Sequence, residues 1–150
     1  MTIFLHIGTA KTGTTTIQHA MYSNRDYLRE SHSLNYPHFE PNSWALMVPF
    51  TSVEKYLPLQ RHILRRLGSL EDYISLGQRF KDWLEKESGK FRAHVLSSEQ
   101  LLGVDHESLS TLHRFLTGLG HDLKVLVYVR HPVDRLSSNL SQWMRSGIGE

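Results

Sequence analysis

The sequence predicts an α/β fold, a parallel sheet flanked by helices in three layers. Three observations carry that expectation. Short apolar runs alternate with helical periodicities along all 150 residues, the pattern that pairs strands in parallel through crossover helices. A loop rich in glycine and threonine joins the first apolar run directly to a helical pattern. Each expected strand also ends in polar residues, on the rim where open parallel sheets hold their ligands.

In chain order, Ile3-Phe4-Leu5-His6-Ile7 is the first strand, and it runs into Gly8-Thr9-Ala10-Lys11-Thr12-Gly13-Thr14-Thr15-Thr16. A helix is expected over residues 14–30, with Ile17, Ala20, Met21, Asn24 and Leu28 on one face. Leu34-Asn35-Tyr36 reads as a short strand halted by Pro37. Residues 38–52 are irregular, with Pro41 and Pro49, and read as a functional loop that shapes an acceptor site. A helical segment is expected over residues 59–67. Ser69 with Asp72 resembles a capping arrangement and starts a helix whose apolar positions are Leu70, Tyr73, Ile74, Phe80, Trp83 and Leu84, ending by Gly89. Residues 92–97 form the third strand. Asp105 caps a helix with Leu109, Leu112, Leu116 and Leu119 inward, stopped by Gly120. Residues 123–129 make the clearest strand, rich in β-branched side chains. The last helix opens near Pro132, where a missing N–H does no harm, with Val133, Leu136, Leu140 and Trp143 facing inward. No repeat, low-complexity tract or linker interrupts the chain, so one domain spans residues 1–150.

Composition narrows the function. An apolar fraction of 39% and a charged fraction of 21% are those of a soluble globular domain. Net charge of +2 and a pI near 9.0 suit an anionic ligand without calling for nucleic acid; Arg61, Arg65 and Arg66 read as a solvated helix face. The chain has no cysteine, which excludes disulfides, thiolate catalysis and cysteine–zinc sites and fits a reducing, cytoplasmic location. The first apolar run has no basic leader and is too short for a signal peptide or membrane span. There are ten histidines, but none stands in a His-x-x-x-His pair, so no metal site is expected. His19, His62, His113 and His121 read as surface or helix-edge residues, and Trp83 and Trp143 as core.

The opening loop carries the chemistry. Strand, glycine loop and helix together aim backbone N–H groups and a helix N-terminus at an anion. Lys11 adds charge, and the hydroxyls of Thr14 and Thr15 are placed to cap the helix and to bond phosphate oxygens. The spacing of Gly8 and Gly13 matches the start of the nucleotide-triphosphate loop, yet Thr14 stands where that loop has its lysine. A single phosphate or phosphosulfate fits better than a triphosphate with its metal. At the far end of the sheet, Arg130 closes an apolar strand, with Ser138 in the next helix. A fork and a hydroxyl there grip a second phosphate; the plainer reading is an ion pair of Arg130 with Asp134.

Lys11-Thr12-Gly13-Thr14-Thr15 after a strand resembles the 5′-phosphosulfate loop of sulfotransferases that use 3′-phosphoadenosine 5′-phosphosulfate (PAPS). Arg130-x-Pro132-x-x-Arg135-x-x-Ser138 resembles their 3′-phosphate motif. The likeness is to bacterial sulfotransferase-like proteins and carbohydrate sulfotransferases, and it spans the chain. It implies a three-layer sandwich like that of P-loop NTPases, PAPS as co-substrate without a metal, and a hydroxyl or amine acceptor, carbohydrate among the choices. It also implies roles. Lys11 contacts the bridging oxygen and 5′-phosphosulfate; Thr12, Gly13, Thr14 and Thr15 cradle the same group; Arg130 and Ser138 hold the 3′-phosphate. Glu99 is the first candidate for the catalytic base, with His38 and Glu40 second, and Glu99 also reads as a structural partner for Lys11 or Arg130. Relatives continue beyond the equivalent of Glu150, so the chain is expected to be the N-terminal part of a longer family fold. Two other readings stand beside this one: a non-catalytic nucleotide-binding or interaction remnant, and a kinase or NTPase with a degenerate loop.

Overall fold

Four strands pair in parallel in the order β2-β3-β1-β4. β1 (Thr2–Gly8) is central, between β3 (Ala93–Ser97) and β4 (Asp122–Tyr128), and β2 (Leu34–Asn35) forms the edge beyond β3. The structure is a computed structural model that describes residues 1–8, 12–52, 67–129 and 131–146, without the side chains of Arg135, Asn139, Gln142, Trp143, Arg145 and Ser146. The helix expected over residues 59–67 lies outside the described residues except at Leu67, and Arg61, His62, Arg65, Arg66 and the Trp143 side chain lie outside them too.

Side-chain alternation along β1 sorts the layers. Ile3 and Leu5 enter the main core, while His6 and Gly8 face the other side of the sheet. On the core side lie α3 (Leu70–Glu87), α4 (His106–Gly118) and a 3₁₀ segment (Trp44–Phe50), which supply Tyr73, Phe80, Leu84, Leu112, Leu116 and Trp44. On the other side lie α1 (Thr14–Ser23) and α2 (Arg25–His32). The α/β class and the helical layers follow the expectation from sequence.

Local signals explain the helix starts. The Ser69 Oγ accepts the Asp72 N–H at 3.0 Å and Asp105 Oδ1 accepts the Ser108 N–H at 3.1 Å, so both expected caps satisfy N–H groups that the helix leaves open. The single helix expected over residues 14–30 is instead two. Asn24 donates from Nδ2 to the Ala20 carbonyl at 2.8 Å, and its backbone leaves the helical region at φ −103°, ψ 14°. A short amide that competes for a backbone carbonyl breaks a helix in this way.

Three further expectations are corrected. A third of the supposed functional loop over residues 38–52 is core: Trp44, Ala45, Leu46, Met47 and Val48 are buried. That stretch is apolar apart from the Trp44 indole N–H, and α3 meets it so closely that a Cβ on Gly77 would lie 2.4 Å from the Val48 Cβ. His121, read as a surface or helix-edge residue, is buried and shares a 2.8 Å hydrogen bond with the Ser88 Oγ at the end of α3. The last helix, α5 (Pro132–Ser146), keeps the expected periodicity but not the burial. Val133, Leu136 and Leu140 are exposed, as are Val125 to Val129 of the β4 edge. A periodic apolar stripe shows which face of a helix seeks cover, and among the described residues nothing supplies it here.

Candidate functional site

The site is built where β1 and β3 end side by side. β1 hands the chain to α1 on one face of the sheet; β3 hands it, through a short 3₁₀ turn (Gln100–Gly103), to α4 on the other. Neighbouring strands whose continuations part to opposite faces leave a crevice at their carboxyl ends, the place where open parallel sheets bind ligands. Into it come the residues around Gly13 from one side and Ser98-Glu99 from the other. The two ends are tied together, since the Ser98 N–H donates to the His6 carbonyl at 3.0 Å.

The start of α1 has the form of an anion cradle. Gly13 takes φ 83°, a left-handed conformation that suits glycine, and nothing lies within 4 Å of where its Cβ would be. It precedes a helix with no side-chain cap and no acidic residue in the first turn. Among the described residues no side chain caps the positive end of α1. Gly8 fits for a different reason. A Cβ there would sit 1.8 Å from the Thr14 Oγ1, so the main chain of β1 passes directly against the first turn of α1.

The threonines divide. Sequence gave capping to Thr14 and Thr15, but the cap position belongs to Gly13. Thr14 is 2% exposed; its hydroxyl turns inward and shares a 3.2 Å hydrogen bond with Thr12 Oγ1. Packing against Gly8 takes its side chain away from any ligand, leaving its N–H in the cradle. Thr15 is exposed and Thr12 half-buried. Lys11 lies outside the described residues, as does Arg130. The strands that lead to them end as registered neighbours, Gly8 beside Tyr128. Ser138 sits half-buried on α5.

Of the three candidate bases, strand order favours Glu99. It follows β3, which adjoins β1, and it is half-buried beside Ser98, whose Oγ donates to Gln100 Oε1 at 2.9 Å. His38 and Glu40 follow the edge strand β2, one strand further away. Glu40 Oε2 accepts the Trp44 indole N–H at 2.8 Å, which engages that carboxylate in holding the 3₁₀ segment. The His38 ring stacks on Phe39 at 4.1 Å between centroids. Burial, with the positive charges of Arg25 and Arg79, holds its pKa below the ordinary imidazole value.

Sequence reasoning missed a buried polar knot beneath this crevice. His6, Gln18, Tyr36, Ser43 and Ser97 are all buried and meet at the end of β3. His6 Nδ1 and Ser97 Oγ lie 2.8 Å apart. Gln18 Nε2 donates to the same Oγ at 3.1 Å, and the Ser97 N–H donates to Ser43 Oγ at 3.1 Å. The Tyr36 hydroxyl donates to the Pro41 carbonyl. One signal was visible in the chain, a histidine inside an otherwise apolar strand. A buried polar side chain needs partners, and here they come from four separate stretches.

A cleft of about 740 Å³ opens elsewhere, at the amino ends of the strands, lined by Thr2, Phe4, His32, Arg92 and Lys124. It lies at the opposite end of the sheet from the cradle. Among the described residues no three histidine, aspartate or glutamate side chains form a metal-ligating group, and no helix is long and apolar enough to cross a membrane. No protein-family model, curated protein or solved structure matches the chain.

Proposed function

We propose that the chain is a PAPS-dependent sulfotransferase domain that moves a sulfuryl group to a hydroxyl or amine, with carbohydrates among the acceptors. One observation carries the reading: the uncapped N-terminus of α1 and Glu99 flank the same crevice at the carboxyl ends of adjacent parallel strands. The close pass of Gly8 against Thr14 supports the reading, because a side chain at Gly8 would push the first turn of α1 away from the end of β1.

The donor supplies an activated sulfuryl group. In this proposal the N–H groups of Gly13, Thr14 and Thr15 hold the 5′-phosphosulfate, and Lys11 stabilises the charge that builds on the 5′-phosphate as its bond to sulfur breaks. Glu99 accepts the proton of the acceptor as the new bond to sulfur forms. Arg130 and Ser138 hold the 3′-phosphate, which tells this donor from an ordinary adenylate. Lining up acceptor, sulfur and leaving group accounts for much of the rate.

Calorimetry with 3′,5′-adenosine bisphosphate and with ATP, each with and without magnesium, tests the proposal. Preference for the bisphosphate without metal supports it. Lys11→Ala and Arg130→Ala are each expected to weaken bisphosphate binding by about 1.5–3 kcal/mol, the scale of a hydrogen bond to a charged group. Glu99→Gln should keep that affinity and lose turnover. The apolar surface on β4 and α5 favours a second reading, a binding module; under it the bisphosphate binds and no sulfuryl group moves. Metal-dependent ATP binding replaces both with a kinase or NTPase.

A further inference from the structure

The two edges of the sheet are unlike. β2 closes one of them with only Leu34 and Asn35, and so short an edge strand offers little to pair with. β4 forms the other along seven residues. Among the described residues nothing pairs with its outer side, and a row of N–H and C=O groups there is a template for a further strand. The usual guards are few: from Leu123 to Val129 there is no proline, and Lys124 is the one charge. Nine of the fourteen large apolar side chains that stand exposed lie on β4, the residue after it and α5, so they make a patch and not a scatter.

Both faces of β4 share in the patch. By register, Lys124, Leu126 and Tyr128 stand beside Phe4, His6 and Gly8 on the side of α1, while Val125 and Val127 stand beside Leu5 and Ile7 on the core side. Val125, Leu126, Val127 and Tyr128 are exposed by 52%, 44%, 51% and 52%. A helix laid on the sheet covers one face; a strand laid along the edge extends both at once. The sequence of β4 says which strand fits. Read outward from Leu126, it is nearly alike in both directions: valine on each side, then Lys124 or Tyr128. Against a second copy run antiparallel about Leu126, that residue meets its own counterpart, Val125 meets Val127, and Lys124 meets the ring of Tyr128. Aliphatic side chains thus oppose aliphatic ones, and the single cation opposes an aromatic face. A slip of two residues toward the start of the strand sets Lys124 against Leu126 and loses the match.

We propose that the chain forms a two-fold dimer by antiparallel pairing of β4 with β4 of a second copy, joining two four-stranded sheets into one. A two-fold axis that brings edge to edge and keeps each face with its counterpart runs the strands antiparallel, the self-complementary contact of closed dimers. The pairing also limits itself: with both β4 strands used, the edges left among the described residues are the short β2 strands. Area agrees. A stable interface takes about 800 Å² from each partner, near a tenth of a small protein's surface, and this chain exposes 9003 Å². β4, together with exposed Val133, Leu136, Leu140 and Met144 of α5, supplies apolar surface on that scale. The dimer stands apart from the sulfotransferase reading, which gives no role to the residues paired here.

The test is the mass of the full chain in solution, by sedimentation from micromolar to hundreds of micromolar. The wild type is expected at twice its 17.4 kDa, with no larger species. A monomer throughout, or a mass that keeps growing with concentration, overturns the proposal. Leu126→Lys sets like charges opposite each other at the two-fold axis and should raise the dimer's dissociation constant about tenfold or more. A dimer that survives this change overturns the proposal too. If the variant does not fold, cross-linking decides. The chain has no cysteine, so Leu126→Cys carries a single thiol. Residues directly opposite lie about 4.5–5.5 Å apart at Cα, within the span of a disulfide. Leu126→Cys should cross-link under mild oxidation far faster than Leu70→Cys, exposed on α3. A mixture of Lys124→Cys and Tyr128→Cys should likewise outpace either variant alone. Equal rates at positions 126 and 70, or a mixture no faster than its parts, overturn the pairing.

Discussion

Replacing Gly8 by alanine puts a methyl group where Thr14 already sits. The added carbon would lie 1.8 Å from Oγ1, 2.5 Å from Cγ2 and 2.6 Å from Cβ of that residue, all far inside contact distance. Thr14 cannot swing away, because it is β-branched, buried and held at the first turn of α1. Either α1 lifts from the sheet or β1 shifts. Overpacking of this kind costs about 1–3 kcal/mol, against about 0.4–1 kcal/mol gained from a stiffer unfolded chain. The net expectation is a loss of about 1–2 kcal/mol, seen as a fall in the urea midpoint at constant slope. Adding Thr14→Ala removes two of the three clashing atoms but leaves the Cβ. The double variant should therefore lose less than the sum of the singles, with a coupling on the order of 1 kcal/mol. Full stability in Gly8→Ala, or strict additivity in the pair, would refute the close approach on which the cradle depends.

Other expectations follow the same logic. At Gly13 the space is open but φ is 83°, so Gly13→Ala should cost about 1 kcal/mol and Gly13→Asn less, by the same urea assay. Gly77→Ala ought to gain from helix propensity by up to about 1 kcal/mol, yet the 2.4 Å approach to Val48 should reverse the sign; a stabilised variant refutes the packing of α3 on the 3₁₀ segment. Acid should destabilise the fold through His94, which is fully buried. Burial and the neighbouring His121 push its pKa down to about 4. The unfolded chain binds that proton near pH 6.5 and the folded chain only near 4, so stability present above 6.5 drains away as pH falls between those values. The loss is on the order of 3 kcal/mol by pH 4. Urea titrations across that window should show the slope, and His94→Phe should reduce it, leaving the smaller share of the other histidines whose pKa burial lowers.

Much of this protein was legible because local chemistry decides it. Ser69 and Asp105 announce their helices, since a capping side chain answers to N–H groups three residues away. The order of strands and helices implies a parallel sheet, because only a crossover can join parallel neighbours. The residue types of the crevice, a glycine loop after one strand and Glu99 after another, were likewise visible in the chain.

Tertiary structure decided the rest, for reasons of distance. That β1 lies between β3 and β4, so that Gly13 and Glu99 share a crevice while His38 and Glu40 stand a strand away, depends on pairings between residues remote in sequence. Periodicity marked Val133, Leu136 and Leu140 as apolar but could not say what covers them; residues 38–52 looked like a loop until α3 packed on them. His6 is the sharpest case. Its strand is plain from the sequence, but its buried bond to Ser97 and its place under α1 arise only when β1, β3 and α1 come together. Burial and hydrogen-bond partnership belong to surfaces in contact, and the chain alone names the surfaces without their contacts.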